Sequence, residues 1–305
     1  MKIKNLFSSL VILALTFGIV ACGSSEKEDM TSEDVIEESE VSSQLGGLAL
    51  YTVRDAMAAD PRGTLQKVAE AGYAYIEAAG YADGKFYGME PVEFKEYVES
   101  LGMKAVSTHM GAVTLDNADQ FIADTKAAGM TYFVIPVPPM GMFTFDASTM
   151  KMGMNGTPED LVSILNELGE KCSAAGLTLL YHNHDFEFME NEDGVILADY
   201  ILENTDAANV NFEIDLFWST KAGAKANDYF AKYPGRFKAW HVKDMNPEGM
   251  FAPVGKGLIN FSQFLVDKET AGLEVYFVEQ DMTFDLDPLE AIKISNEAIR
   301  TFGFE

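Results

Sequence analysis

The chain has 305 residues, 48 % of them hydrophobic, and 48 Asp and Glu against 22 Lys and Arg give a net charge of −26. That charge excludes nucleic acid as a partner and electrostatic docking on anionic lipid. Two cysteines exclude a disulfide framework, and the length suits one barrel-sized domain of about 250 residues with a remainder.

The remainder lies at the N-terminus. Lys2 and Lys4 precede an apolar run, Leu10 to Ala21, too short to cross a bilayer but suited to a signal-peptide core. The run ends in Ile19-Val20-Ala21-Cys22-Gly23, which resembles a bacterial lipobox with Cys22 as the lipidated residue. Gly23 to Gln44 then holds eight acids, one lysine and six serines, a composition that cannot bury enough surface to offset its ordering entropy. The expected organisation is a signal peptide over 1–21, a lipidated Cys and acidic disordered tether over 22–44, and a catalytic domain over 45–305. The protein is expected to be exported and held to a bacterial membrane by lipid alone. Cys172 is left as a lone thiol on a helix, where it serves as core filler.

From Leu45 onward short apolar runs alternate with amphipathic stretches. The runs predict strands at Leu48–Val53, Tyr73–Ala78, Lys104–Thr108, Tyr132–Val137, Leu177–His182, Val210–Leu216, Arg236–Val242 and Glu274–Glu279. Helices are predicted at Thr64–Ala71, Pro91–Leu101, Asp116–Ala128, Pro158–Ala175, Ala198–Asn204, Ala226–Tyr233, Phe261–Thr270 and Pro288–Phe302. Several helices stop at a glycine suited to a left-handed cap, Gly176 among them, and Thr157-Pro158-Glu159-Asp160 marks a helix start. Eight strand–helix units predict a closed parallel (β/α)₈ TIM barrel, with the active site at the C-terminal ends of its strands. An open nucleotide-binding sheet is the competing fold, but no G-x-G-x-x-G follows the first strand.

All four histidines, His109, His182, His184 and His241, fall at or just past predicted strand ends. Glu77, Asp215 and Glu279 fall at the same level. Imidazoles and carboxylates around one barrel mouth are the donor set of a divalent metal. Singly each has a plainer role: a strand-end histidine is often a hydrogen-bonded structural residue, Asp215 suits a loop cap, and Glu187 and Glu190 suit solvent.

Several segments in order resemble the xylose-isomerase-like TIM-barrel sugar isomerase/epimerase superfamily, its inosose-dehydratase-like branch included. They are Leu48-Ala49-Leu50-Tyr51-Thr52-Val53-Arg54-Asp55, Tyr181-His182-Asn183-His184-Asp185-Phe186-Glu187-Phe188 and Glu213-Ile214-Asp215. Gly72-Tyr73-Ala74-Tyr75-Ile76-Glu77, Trp240-His241-Val242-Lys243-Asp244, Pro253-Val254-Gly255-Lys256-Gly257 and Val278-Glu279 complete the set. The resemblance spans about residues 46 to 305 and implies a divalent ion, Mn²⁺ first, with Zn²⁺, Co²⁺ or Mg²⁺ as alternatives. It implies ligands Asp215, His241 and Glu279. Six residues after Gly176, where ketose epimerases carry a ligand glutamate, this chain has His182, so the fourth metal position departs from the pattern.

The expected chemistry is proton abstraction alpha to the carbonyl of a keto-sugar or keto-glycoside, with the metal polarising that carbonyl. Glu279 is the expected base, His184 or His109 returns a proton, and Lys243, two residues past His241, adds positive charge or pairs with an acid. Trp218, Trp240, Phe186 and Phe217 are candidate platforms for a sugar ring. Isomerase/epimerase and lyase/hydratase activities both fit, and homo-oligomer formation stays open. A non-catalytic sugar-binding lipoprotein would lack the Asp215, His241 and Glu279 set; a metal-dependent endonuclease would need more histidines and a basic groove.

Overall fold

A computed structural model describes residues 45–149 and 151–304, so the expected signal peptide and tether lie outside the described residues. Eight parallel strands close a barrel: β1 (Gly47–Ala49), β2 (Tyr75–Ala78), β3 (Lys104–His109), β4 (Tyr132–Ile135), β5 (Thr178–His182), β6 (Val210–Asp215), β7 (Phe237–Val242) and β8 (Val275–Val278). Each pairs with its sequence neighbours and β8 closes on β1, with Gly47 opposite Phe277. The predicted barrel is therefore the observed fold. No helix among the described residues is long and apolar enough to cross a membrane.

Two apolar layers hold it. The larger lies between the strands and the surrounding helices and contains the thiol of Cys172, whose pKa burial pushes up to about 12. The smaller fills the barrel's interior with Ala49, Tyr132, Val134, Leu180, Ala239 and Phe277. Because successive strand residues face opposite sides, the inward register that supplies this plug supplies polar side chains one step further along.

Helix ends follow the predicted signals. Thr157 Oγ1 accepts from Asp160 N to start the helix Pro158–Ala175, and Gly176, at φ 81°, ends it in a left-handed cap. Most predicted boundaries shift by one to three residues, and three elements depart for a visible reason. The first strand stops at Ala49 and the chain turns through Leu50–Val53, because Thr52 Oγ1 accepts from Gln280 N and Arg54 donates to the carbonyl of Asp281, folding it across the end of β8. The sixth strand stops at Asp215, whose Oδ1 accepts from the amides of Phe217 and Trp218 and so starts the short helix Leu216–Lys221. The single helix predicted over Phe261–Thr270 is broken at Asp267 into Ser262–Leu265 and Lys268–Ala271.

Three antiparallel hairpins sit outside the barrel. One, Phe143–Asp146 with Lys151–Met154, leaves β4; another, Asp244–Met245 with Phe251–Ala252, leaves β7. Both border the C-terminal mouth.

Candidate active site

Polar side chains from six strands meet on the barrel axis above the apolar plug. Register explains the meeting: Glu213 lies beside His182, Asp215 beside His241 and Glu77 beside Ser107. Each neighbouring pair points inward, and all six but Ser107 are titratable.

The upper part of the cluster joins β6, β7 and β8. One donor atom each from Asp215, His241 and Glu279 lies within 4.8 Å of the other two, and all three residues are buried. His241 Nδ1 is 2.9 Å from Glu279 Oε2 and 4.0 Å from Asp215 Oδ2. The Lys243 ammonium lies among the same oxygens, 2.9 Å from Asp215 Oδ2 and 2.7 Å from Glu279 Oε2, with Asp281 Oδ1 also at 2.7 Å. One oxygen of Asp215 caps a helix, the plainer role foreseen for it, while the other faces His241 and Lys243.

The lower part orients the imidazoles. His241 Nε2 is 2.9 Å from Glu77 Oε1 and 3.2 Å from Glu213 Oε2, so its Nδ1 is the nitrogen turned to Asp215 and Glu279. His182 Nδ1 is 3.0 Å from Glu213 Oε2, and its Nε2 faces Asp215 Oδ2 at 4.0 Å. His109 Nε2 lies between Glu77 Oε1 and Glu213 Oε2, at 3.0 and 2.9 Å. Ser107 Oγ donates to Glu77 Oε2. Carboxylates that fix one ring nitrogen while the other points at a common centre are the usual outer support of a metal site.

A second tight group, His109, His182, Glu213 and His241, also has donors within 4.8 Å of one another. His241 belongs to both groups, and His109, His182 and Glu279 are the members that line the pocket.

Electrostatics separates the histidines. Burial acts against charge on His109, but Glu77 and Glu213 prevail and raise its pKa to about 10. Burial, with the neighbouring His241 cation, drives His182 well below its ordinary value, and burial with Lys243 lowers His184 to about 3. His182 and His184 are thus neutral, the form that ligates or offers a free lone pair. Burial disfavours charge on Glu279, yet Lys243 and His241 hold it well below the carboxylate range. Asp281, buried beside Lys243, is raised to about 6.

Above the cluster opens a pocket of about 530 Å³. His109, His182, His184, Lys243 and Glu279 reach it from below. His184 Nδ1 is buried without a hydrogen-bond partner beside Trp218, whose ring centre is 5.5 Å away and whose Nε1 is equally unpartnered. Of the aromatic residues foreseen as sugar platforms, Trp218 lines the pocket; Trp240 stacks instead on Phe230, and Phe217 on Phe251. Glu187, which sequence alone left as a solvent-exposed acid, is fully buried and accepts from Tyr181 Oη and His184 N. Glu213 and Asp281 were not foreseen. Glu213 was legible, because a residue two before Asp215 shares its inward face.

A family model described as xylose isomerase-like TIM barrel matches residues 65–267, two thirds of the chain. Among solved structures, a sugar phosphate isomerase/epimerase from Parabacteroides distasonis is 24 % identical, with a TM-score of 0.68 over 90 % of this chain and 99 % of that one. A probable 3-DHS dehydratase from Bacillus anthracis is 12 % identical, with a TM-score of 0.63 over 84 % and 99 %. A xylose isomerase-like TIM-barrel protein from Mycobacterium smegmatis, in complex with magnesium, is 16 % identical, with a TM-score of 0.61 over 85 % and 96 %. No curated protein matches the chain in sequence.

Proposed function

The chain belongs to the xylose isomerase-like TIM-barrel family, and on that premise we propose that it is a divalent-metal-dependent enzyme moving a proton alpha to the carbonyl of a keto-sugar or keto-glycoside. The observation that carries this reading is the convergence of Asp215, His241 and Glu279 within 4.8 Å beneath an open pocket, each held by a further polar partner. The donor set fits a divalent ion: two carboxylates and an imidazole converge, and the neutral His182, its Nε2 4.0 Å from Asp215 Oδ2, stands by as fourth donor. Mn²⁺ is the first candidate, with Zn²⁺, Co²⁺ and Mg²⁺ behind it. Bound there, such an ion supplies Lewis-acid polarisation of a substrate carbonyl and its neighbouring hydroxyl.

The chain's own groups divide the remaining work. Glu279 is kept ionised by the Lys243 ammonium beside it, so it can accept the substrate's alpha proton. Lys243 stays charged between Asp215, Glu279 and Asp281 and places positive charge beside the oxygen on which negative charge builds. Neutral His184 directs its unpartnered Nδ1 at the substrate, where it accepts a hydrogen bond from a hydroxyl. His109, named with His184 as a proton donor, has its Nε2 committed to Glu77 and Glu213. We therefore give the return proton to Glu279, which holds it after the abstraction, and leave His109 the task of positioning Glu213.

A second reading, loss of water from the same substrate class, is favoured by the imidazole of His182 standing where a matched acid/base pair would need a carboxylate. The test of both is one incubation of the Mn²⁺-loaded protein with 3-keto-glucosides and free ketoses in D₂O. One deuterium entering at the alpha carbon supports the proposal, and accompanying water loss selects elimination. Glu279→Gln should abolish uptake. Unlabelled substrate after prolonged incubation with every candidate would sink it.

A further inference from the structure

The pocket changes character with depth. Its floor is ionic and its rim is apolar, built from loops after four different strands. Phe143, Phe145 and Met152 come from the hairpin after β4, Trp218 from the helix after β6, Met250 and Phe251 from the hairpin after β7, and Met282 from the loop after β8. Two more pocket residues, Pro136 and Val137, continue the apolar wall past β4.

Several of these groups are open to solvent at a cost the sequence could have avoided. Phe145 is 50 % exposed, Met250 38 %, Met282 37 % and Tyr51 40 %, so four of the ten large exposed apolar side chains among the described residues border this one opening. Scattered single apolar residues on a surface need no explanation, whereas a contiguous patch around a pocket marks something that covers it. In the hairpin Phe143–Asp146 with Lys151–Met154, cross-strand pairs bring Phe143 beside Met154 and Phe145 beside Met152. Apolar side chains therefore share one face of the hairpin, and Phe143, Phe145 and Met152 all reach the pocket. Polar groups on the upper wall are fewer than apolar ones: Arg54, already donating to two carbonyls, Lys221, lying over the Trp218 ring, the Tyr51 hydroxyl, and Asp281, paired with Lys243. A second sugar ring would need hydrogen-bond partners for its hydroxyls there. The wall offers aromatic faces and methionine sulfur instead, surfaces that accept varied flat or aliphatic groups.

We infer that the substrate is a glycoside with an apolar aglycone, its sugar on the ionic floor and its aryl or alkyl group under the Phe143–Met154 hairpin. This deepens the proposed function and rests on it for the sugar. The volume of about 530 Å³ lies well inside the range of about 300–1,000 Å³ that encloses drug-sized ligands, more than one monosaccharide requires. The unpartnered nitrogens of His184 and Trp218 sit at the boundary between the two zones, where sugar hydroxyls would meet them.

Titration calorimetry on the Mn²⁺-loaded full chain tests this with three unreactive probes: methyl β-D-glucoside, phenyl β-D-glucoside and cellobiose. The phenyl glucoside should bind about ten-fold more tightly than the methyl glucoside, from burial of its ring, and cellobiose no more tightly than the methyl glucoside. Phe145→Ser with Met250→Ser should bring the phenyl-to-methyl ratio close to one, and Met282→Ser alone should lower it. Equal binding of the two glucosides, tighter binding of cellobiose, or an unchanged ratio in the double variant would overturn the aglycone while leaving the metal chemistry standing. If none of the three binds, the sugar reading falls and the aglycone with it, a result that D₂O uptake separates from loss of catalysis. A double variant whose ratio persists but whose mass by light scattering drops would mean that a second copy covers the rim, and would also overturn the inference.

Discussion

At the scale of single residues, the site is a set of buried charges that stand only because they face one another. Removing one partner of a buried ion pair costs about 3–5 kcal/mol, since the other is left uncompensated. Asp215→Ala or His241→Ala should therefore lose most of the bound metal, by elemental analysis of the purified protein; full occupancy in both would take them out of the site. His182→Ala should bind the ion more weakly. Glu213→Gln should weaken it by about 10–100-fold without removing any ligand, because Glu213 fixes His182 and supports His241 from behind. Glu187 gives a prediction with a sign. Burial raises its pKa to about 8, against hydrogen bonds from His184 and Tyr181, so the folded state favours the proton. The stability it contributes is complete below about pH 4, the range of a free carboxyl, and is lost as pH rises towards 8. Glu187→Gln carries no titrating group, so its urea midpoint should fall less than the wild-type midpoint between pH 5.5 and 8.5; parallel curves would refute the assignment.

At the scale of elements, what was legible depended on how far a signal repeats. Alternating apolar runs and amphipathic stretches recur eight times, so the barrel and the level of its histidines could be read before any coordinates. Boundaries decided by one distant contact could not: the first strand ends early because of bonds to Gln280 and Asp281, more than two hundred residues away. The hairpin at Phe143–Met154 lay between the two cases. Its Phe-Thr-Phe-Asp and Lys-Met-Gly-Met segments do alternate, but over four residues each they are too short to separate from loop. Asp215 illustrates a competition, in which a capping residue inside an apolar run stops the strand although Leu216, Phe217 and Trp218 would suit its continuation. Helix ends give the element-scale prediction. Gly176 and Gly272 both cap at positive φ, 81° and 83°, but an added methyl at Gly176 meets open space while one at Gly272 would lie 2.8 Å from Gly235 Cα. Gly176→Ala should cost about 1–2 kcal/mol in urea unfolding, the penalty of the left-handed conformation alone. Gly272→Ala should cost clearly more, because backbone must also shift.

At the scale of the whole molecule, we propose that an acidic barrel works at a membrane surface without being drawn to it by charge. Cys22→Ala should leave the protein unlabelled by fatty acid in cells and free in the soluble fraction; a labelled mutant would remove the anchor. The net charge of −26 makes the tether the only attraction to an anionic bilayer that the sequence supports. The hub on the barrel axis has a last consequence, for heredity rather than chemistry. Glu77, His109, His182, Glu213, His241 and Glu279 come from β2, β3, β5, β6, β7 and the end of β8, and between them tie most of the cylinder's circumference together. A lineage altering any one of these spokes would loosen the hoop along with the reaction, so drift at the hub is penalised twice. The rim hairpins bear no such tie, and descendants of this barrel can exchange them for new ones while the hub stays as it is.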